Sequence, residues 1–137
     1  MRRDMFNSEL DKIEEPLLID PYDQSMWYYH QYLMSELTVA SSCFGTFTNA
    51  ERLTYVSRRI EVFVELLEDI DDCKWVYQSL INLALMLRHL NSSTAAGPAS
   101  RVDVEGWLQR LRSLDPLRHG RWDDLGKTIG ALHLEQP

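Results

Sequence analysis

The chain has little of what several broad functional classes require. Fourteen lysines and arginines stand against 21 aspartates and glutamates, a formal net charge of −7 with a pI near 5.0. Binding nucleic-acid phosphates needs a basic footprint, so a nucleic-acid groove is excluded, and anionic membrane surfaces are disfavoured for the same reason. No apolar run approaches the roughly 20 residues that span a bilayer, and Met1-Arg2-Arg3-Asp4 is not followed by the apolar core of a signal peptide. The expected location is therefore cytoplasmic. Cys43 and Cys73 are the only two cysteines, and no Cys-x-x-Cys or His-x-x-x-His spacing builds a zinc site, so both read as reduced structural thiols. His30, His89, His119 and His133 are scattered over separate segments, and a lone histidine beside Trp27 is usually a packing residue. No Gly-rich phosphate loop, Ser/His/Asp set or nucleophile motif occurs. The residues themselves thus give no catalytic, cofactor-binding or metal site.

What is present is helical periodicity. The 137 residues, 45% hydrophobic and 26% charged, make one domain with a modest core. Phe6, Leu10, Ile13 and Leu17 recur at helical spacing over about Phe6 to Leu18, with Pro16 expected to kink this first helix or stop it near Glu15. After Asp20-Pro21, Asp23 or Ser25 can cap a second helix running from about Ser25 to Leu37, and the run from Ser41 to Phe47 reads as a loop. Thr48-Asn49-Ala50-Glu51 is a capping box. It opens a third helix with the stripe Leu53, Val56, Ile60, Phe63, Leu67 and Ile70, its charged side chains, Arg59 among them, mostly elsewhere on the circumference.

Asp71-Asp72 ends that helix, and Trp75 begins a fourth, striped by Val76, Leu80, Leu83, Leu87 and Leu90, with further apolar residues that make it central. Residues 91–101, rich in Ser, Ala and Gly, read as a flexible connector. Asp103 can cap a fifth helix bearing Val104, Trp107, Leu108, Leu111 and Leu114, and the last helix carries Trp122, Leu125, Ile129 and Leu132. Gly126 and Gly130 there mark either a close helix contact or fraying, and fraying is favoured so near the terminus. The acidic run of Glu65, Glu68, Asp69, Asp71 and Asp72 reads as a solvated helix end, with a docking patch for a basic partner as its functional alternative. Six helices in three antiparallel pairs fit an all-α solenoid of helical hairpins or a plain helical bundle, and the stripes alone do not separate the two.

The stretch from Asp20 to Leu33, Asp-Pro-Tyr-Asp-Gln-Ser-Met-Trp-Tyr-Tyr-His-Gln-Tyr-Leu, crowds four aromatics into two turns, so that the helix calls for protein on most of its circumference. It resembles the helical-hairpin repeat of protein prenyltransferase alpha subunits, in the Rab geranylgeranyltransferase wording Asp-Pro-x-Asp-Gln-Ser-x-Trp-Phe-Tyr-His-x-x-Leu. Here Tyr28 replaces Phe; against the generic repeat, Asp23 stands for the usual Asn and His30 for the usual Arg. Asp72-Cys73-Lys74-Trp75, and Leu114 to Arg118 followed by Arg121-Trp122-Asp123-Asp124-Leu125, fit the same family in order and distance. The resemblance covers nearly the whole chain and marks it as the C-terminal portion of such a subunit, a single helical-repeat domain over residues 1–137.

The resemblance implies a solenoid of prenyltransferase alpha repeats, with Asp23, Ser25, Trp27, Tyr28, Tyr29, His30, Trp75, Trp107 and Trp122 as its structural residues. It implies a transferase subunit that wraps a beta subunit, the heterodimer moving geranylgeranyl from its diphosphate to C-terminal cysteines of Rab GTPases presented by an escort protein. Zinc and most of the isoprenoid pocket then belong to the beta subunit, the alpha-subunit side chains near the diphosphate belong to earlier repeats, and this chain alone is inactive. Without those repeats, apolar surface around Leu10, Ile13, Met26 and Trp27 is expected to be bare. The alternative is a free-standing, tetratricopeptide-like helical-repeat interaction module with no enzymatic role.

Overall fold

A computed structural model describes residues 2–39, 42–91 and 103–135, with side chains for all of these except residues 2, 91 and 130–135. Six α-helices make up the described residues: α1 (Arg2–Ile19), α2 (Gln24–Glu36), α3 (Asn49–Asp69), α4 (Lys74–Asn91), α5 (Val104–Leu114) and α6 (His119–Glu135). No strand occurs among them. Residues 20–23, 70–73 and 115–118, the last containing a short 3₁₀ turn, are the links inside each of three hairpins. Links this short return the chain alongside itself. The hairpins then stack: α4 packs on α3, α5 and α2 together, which makes it the central helix. The connector over residues 91–101 lies almost entirely outside the described residues.

Local chemistry explains most helix boundaries. Asp23 is the N-cap of α2, and Asp103 that of α5, where its carboxylate accepts from the backbone N–H of Gly106 at 3.1 Å. At α3 both halves of the capping box form: Glu51 N–H donates to Thr48 Oγ1 at 3.1 Å and Thr48 N–H to Glu51 Oε1 at 2.9 Å. Arg3, on α1, then holds the Glu51 carboxylate from across the fold at 2.6 Å, and this ion pair and the cap together press the Glu51 pKa down to about 2. Around that ion pair sits an aromatic cluster in which Phe6 meets Phe44, Phe47 and Tyr55 edge-on at centroid distances of 5.1, 5.0 and 5.0 Å. The loop between α2 and α3 is therefore folded inward, and Gly45 makes its tight turn possible with φ of 95°, a value that L side chains rarely adopt.

Several expectations need correction. Pro16 does not end α1 near Glu15, because a proline removes only its own donor, while Leu17, fully buried, still anchors the last turn and Asp20 N–H reaches Pro16 O at 2.9 Å. Helix α2 is covered on one face only: Trp27, His30, Leu33 and Met34 are buried, whereas Tyr28 and Tyr32 are 62% and 45% exposed. Arg59 belongs to the core side of α3 and is buried, because Glu14 of α1 meets its guanidinium at 2.8 Å. Leu10, Ile13 and Trp27 are not bare, since the α1–α2 hairpin and α3 bury them, and Met26 is half-buried. Gly126 marks close contact and not fraying: a Cβ there would lie 3.1 Å from Arg112 Nη2 and 3.2 Å from Leu108 Cδ2 of α5.

The capping box supplies a direct stability test. Thr48→Ala removes the hydroxyl acceptor at the α3 N-terminus and should lower unfolding free energy by about 1 kcal/mol in urea denaturation with an unchanged m-value. Thr48→Ser keeps the acceptor and should stay within a few tenths of wild type.

Candidate functional site

The motif residues build a seam where the links of neighbouring hairpins meet. Asp23 accepts from Ser25 N–H at 3.1 Å and from Ser25 Oγ at 2.7 Å, which starts α2 at a fixed place. One turn on, Trp27 is buried, and its Nε1–H reaches back to the Pro21 carbonyl at 2.7 Å. That carbonyl accepts a second donor from the next hairpin, the Cys73 thiol at 3.0 Å. Burial pushes the Cys73 pKa up, which keeps the sulfur protonated and able to donate. Beside this pair, Tyr22 donates its hydroxyl to Asp72 at 2.5 Å, a bond that raises the tyrosine pKa to about 12.

The third hairpin joins the same seam. Arg110 of α5 donates to the Asp71 carbonyl at 2.8 Å, where the Tyr77 hydroxyl also donates at 2.7 Å. Lys74 lies 3.8 Å from Asp115, in the α5–α6 link. Asp71 and Asp72 are exposed, as read from sequence, and both also take part in the junction, Asp71 through its backbone carbonyl and Asp72 through its carboxylate. Among the described residues no group of three or more His, Cys, Asp or Glu side chains is arranged to hold a metal ion.

Behind the seam, Trp27 and His30 close on Phe63 of α3, each with ring centroids 5.0 Å from it. His30 is buried, its Nε2 has no hydrogen-bond partner, and desolvation, helped by the nearby Arg59 cation, pushes its pKa down to about 3. It is therefore a neutral packing residue at physiological pH. Tyr29 is half-buried and donates to Glu9 of α1 at 2.8 Å, lowering the glutamate pKa and raising its own. Tyr28, exposed, accepts at its hydroxyl from Gln24 at 2.5 Å.

Trp75 is half-buried on α4, where it borders a narrow gap together with Trp27 and Tyr28. Trp107 and Trp122 are buried in the third hairpin and do not reach that gap. The motif residues are thus split between the seam with its backing and the part of the same core that lies in the third hairpin. Pro21, Tyr22, Phe63 and Arg59 were missed as participants, and the same is true of Cys73 as a donor. The Asp72-Cys73-Lys74-Trp75 stretch was the available signal, since it occupies the link equivalent to Asp20-Pro21-Tyr22-Asp23. Cys43, unlike Cys73, is exposed.

Geranylgeranyl transferase type-2 subunit alpha of Schizosaccharomyces pombe is 28% identical over 138 residues, covering 97% of this chain. The chain is similar to a portion of that prenyltransferase alpha subunit. It spans 39% of the length of that relative. No protein-family model matches the chain.

Two measurements probe the seam and its backing. Trp27→Phe leaves a smaller aromatic ring and withdraws the indole donor from a buried carbonyl, and should cost about 1–3 kcal/mol in chemical denaturation. For His30, a folded-state pKa below the unfolded value of 6.5 means that the unfolded chain binds the extra proton. Its contribution is then complete above pH 6.5 and is lost as pH falls toward 3. Relative to His30→Leu, wild type should lose about 1.4 kcal/mol of stability per pH unit between pH 6 and 4. Parallel stability–pH curves for the two proteins would show that His30 is not held neutral.

Proposed function

We propose that this chain acts as the C-terminal part of a geranylgeranyl transferase type-2 alpha subunit, with a structural and partner-binding role. Its partner is a prenyltransferase beta subunit in the cytosol, and the assembled enzyme transfers geranylgeranyl from the diphosphate to C-terminal cysteines of Rab GTPases presented by an escort protein. The observation that carries this reading is the match to an alpha subunit along 97% of the chain. The pinned hairpins agree with it: Trp27, Pro21 and Cys73 hold two successive hairpins in fixed register, as an extended supporting surface requires.

The chain brings no catalytic residue of its own to this chemistry. In the proposed assembly zinc belongs to the beta subunit, and the reacting groups are met outside this chain. Its contribution is to hold a second protein in place. Free energy that would otherwise be lost in ordering a flexible surface is already committed when the hairpins fold.

Co-expression with a type-2 geranylgeranyltransferase beta subunit, followed by co-purification and a prenyl-transfer assay, tests the proposal. The expected result is a stable complex without transferase activity. Activity would place catalytic capacity in this piece after all, and failure to co-purify would favour the free-standing interaction module.

A further inference from the structure

On α2 and α4, the second helices of the first two hairpins, an uncharged groove runs along the fold. A cleft of about 370 Å³ between them is lined by Met34, Leu83 and Met86, with Gln31, Ser79 and Asn82 among its polar groups. A narrower gap continues it between Tyr28 and Trp75, sharing Gln31, Ser79 and Asn82. Neither has an Asp, Glu, Lys or Arg in its lining, although 26% of the chain is charged; Lys74 reaches only the Trp75 end, with its Nζ 4.9 Å over the ring. Two other clefts are different. The one at α5–α6 carries Glu105, Arg112, Asp123 and Lys127, and the one at α1–α2 carries Asp11, Lys12, Glu15 and Asp20.

We propose that this uncharged α2–α4 groove is the surface on which the partner subunit seats, receiving an apolar segment of that protein together with its backbone or amide hydrogen-bonding groups. The assignment rests on the alpha-subunit reading above. Depletion of charge at the centre, with Trp, Tyr and Met in its place, is the composition of a lasting protein–protein contact. A phosphate-bearing ligand would find no cation in the lining. From Trp75 to Met86 the groove follows α4 for about 16 Å at 1.5 Å per residue, a length suited to a helix or strand and longer than a small molecule needs.

Accessible polar groups point the same way. Gln31 is exposed and Gln78 and Asn82 are half-buried along the groove, so their amides are open to an incoming partner, and His30, which lines the larger cleft, has a buried Nε2 without a hydrogen-bond partner. Uncharged donors and acceptors of this kind match peptide groups on an incoming protein. Each half-satisfied group also disfavours a purely hydrocarbon occupant, because covering it without a hydrogen bond carries a desolvation penalty.

The test uses the whole chain and a type-2 geranylgeranyltransferase beta subunit as the probe, with affinity measured by calorimetry or surface plasmon resonance. Gln31→Glu and Asn82→Glu each put an unpaired charge into the contact and should weaken binding at least about tenfold, and together about a hundredfold or more. Thr54→Glu adds the same charge at an exposed site on α3 and should bind within about twofold of wild type. A photo-crosslinking residue at Gln78 gives a readout that does not depend on the stability of the charged variants, and it should capture the beta subunit.

Wild-type affinity in both groove variants, or no crosslink from position 78, would overturn the groove assignment and leave the alpha-subunit reading intact. A wild-type chain that does not bind the beta subunit would overturn both. Self-association abolished by the groove variants, without beta-subunit binding, would assign the surface to a second copy instead.

Discussion

A single carbonyl organises much of this molecule. Pro21 O takes one hydrogen bond from the indole of its own hairpin and one from a thiol of the next, so a peptide oxygen with two lone pairs is fully used inside the protein. Proline at that position contributes a buried acceptor without adding a donor that would need a partner of its own. Trp27 cannot leave its place without abandoning this bond and its contact with Phe63. The start of α2, the stacking of α3 and the position of the second link are therefore coupled through a few atoms.

The ends of the hairpins use different physics. At the links, register is set by directional hydrogen bonds at Pro21, Asp71 and Asp72. At the opposite end of the first two hairpins, space is filled by aromatic rings around Phe6, while Arg3 ties the α2–α3 loop and the α3 cap to α1. Charged side chains line the α5–α6 and α1–α2 clefts and are missing from the lining of the α2–α4 groove.

The helices and their caps were legible because their signals are local. Asp23, Thr48 with Glu51, and Asp103 act within one turn of where they stand, and the stripes of α4 and α5 turned inward as their spacing required. The junction was not legible in the same way. Cys73 and Pro21 are 52 residues apart, and nothing in either segment alone says that a thiol will meet a carbonyl. Arg59 misled for a related reason: its burial depends on Glu14, supplied by a different hairpin, and a periodicity argument assigns it to solvent. The aromatic crowd in α2 misled in the opposite direction, because tyrosine tolerates water at one end, and Tyr28 and Tyr32 remain outside. The motif as a whole pointed to an all-α fold of helical hairpins, which the structure has, while the division of labour among its residues emerged only from the packing.

The two kinds of end also answer differently to change. Along one edge the first two hairpins meet through the thiol–carbonyl hydrogen bond of Cys73 and Pro21, and at the other through the rings of Phe6, Phe44, Phe47 and Tyr55. A ring contact tolerates a small shift at little cost, whereas a hydrogen bond is lost over a few tenths of an ångström. The link edge therefore fixes where one hairpin stands on the next, and the aromatic edge fills whatever space that placement leaves.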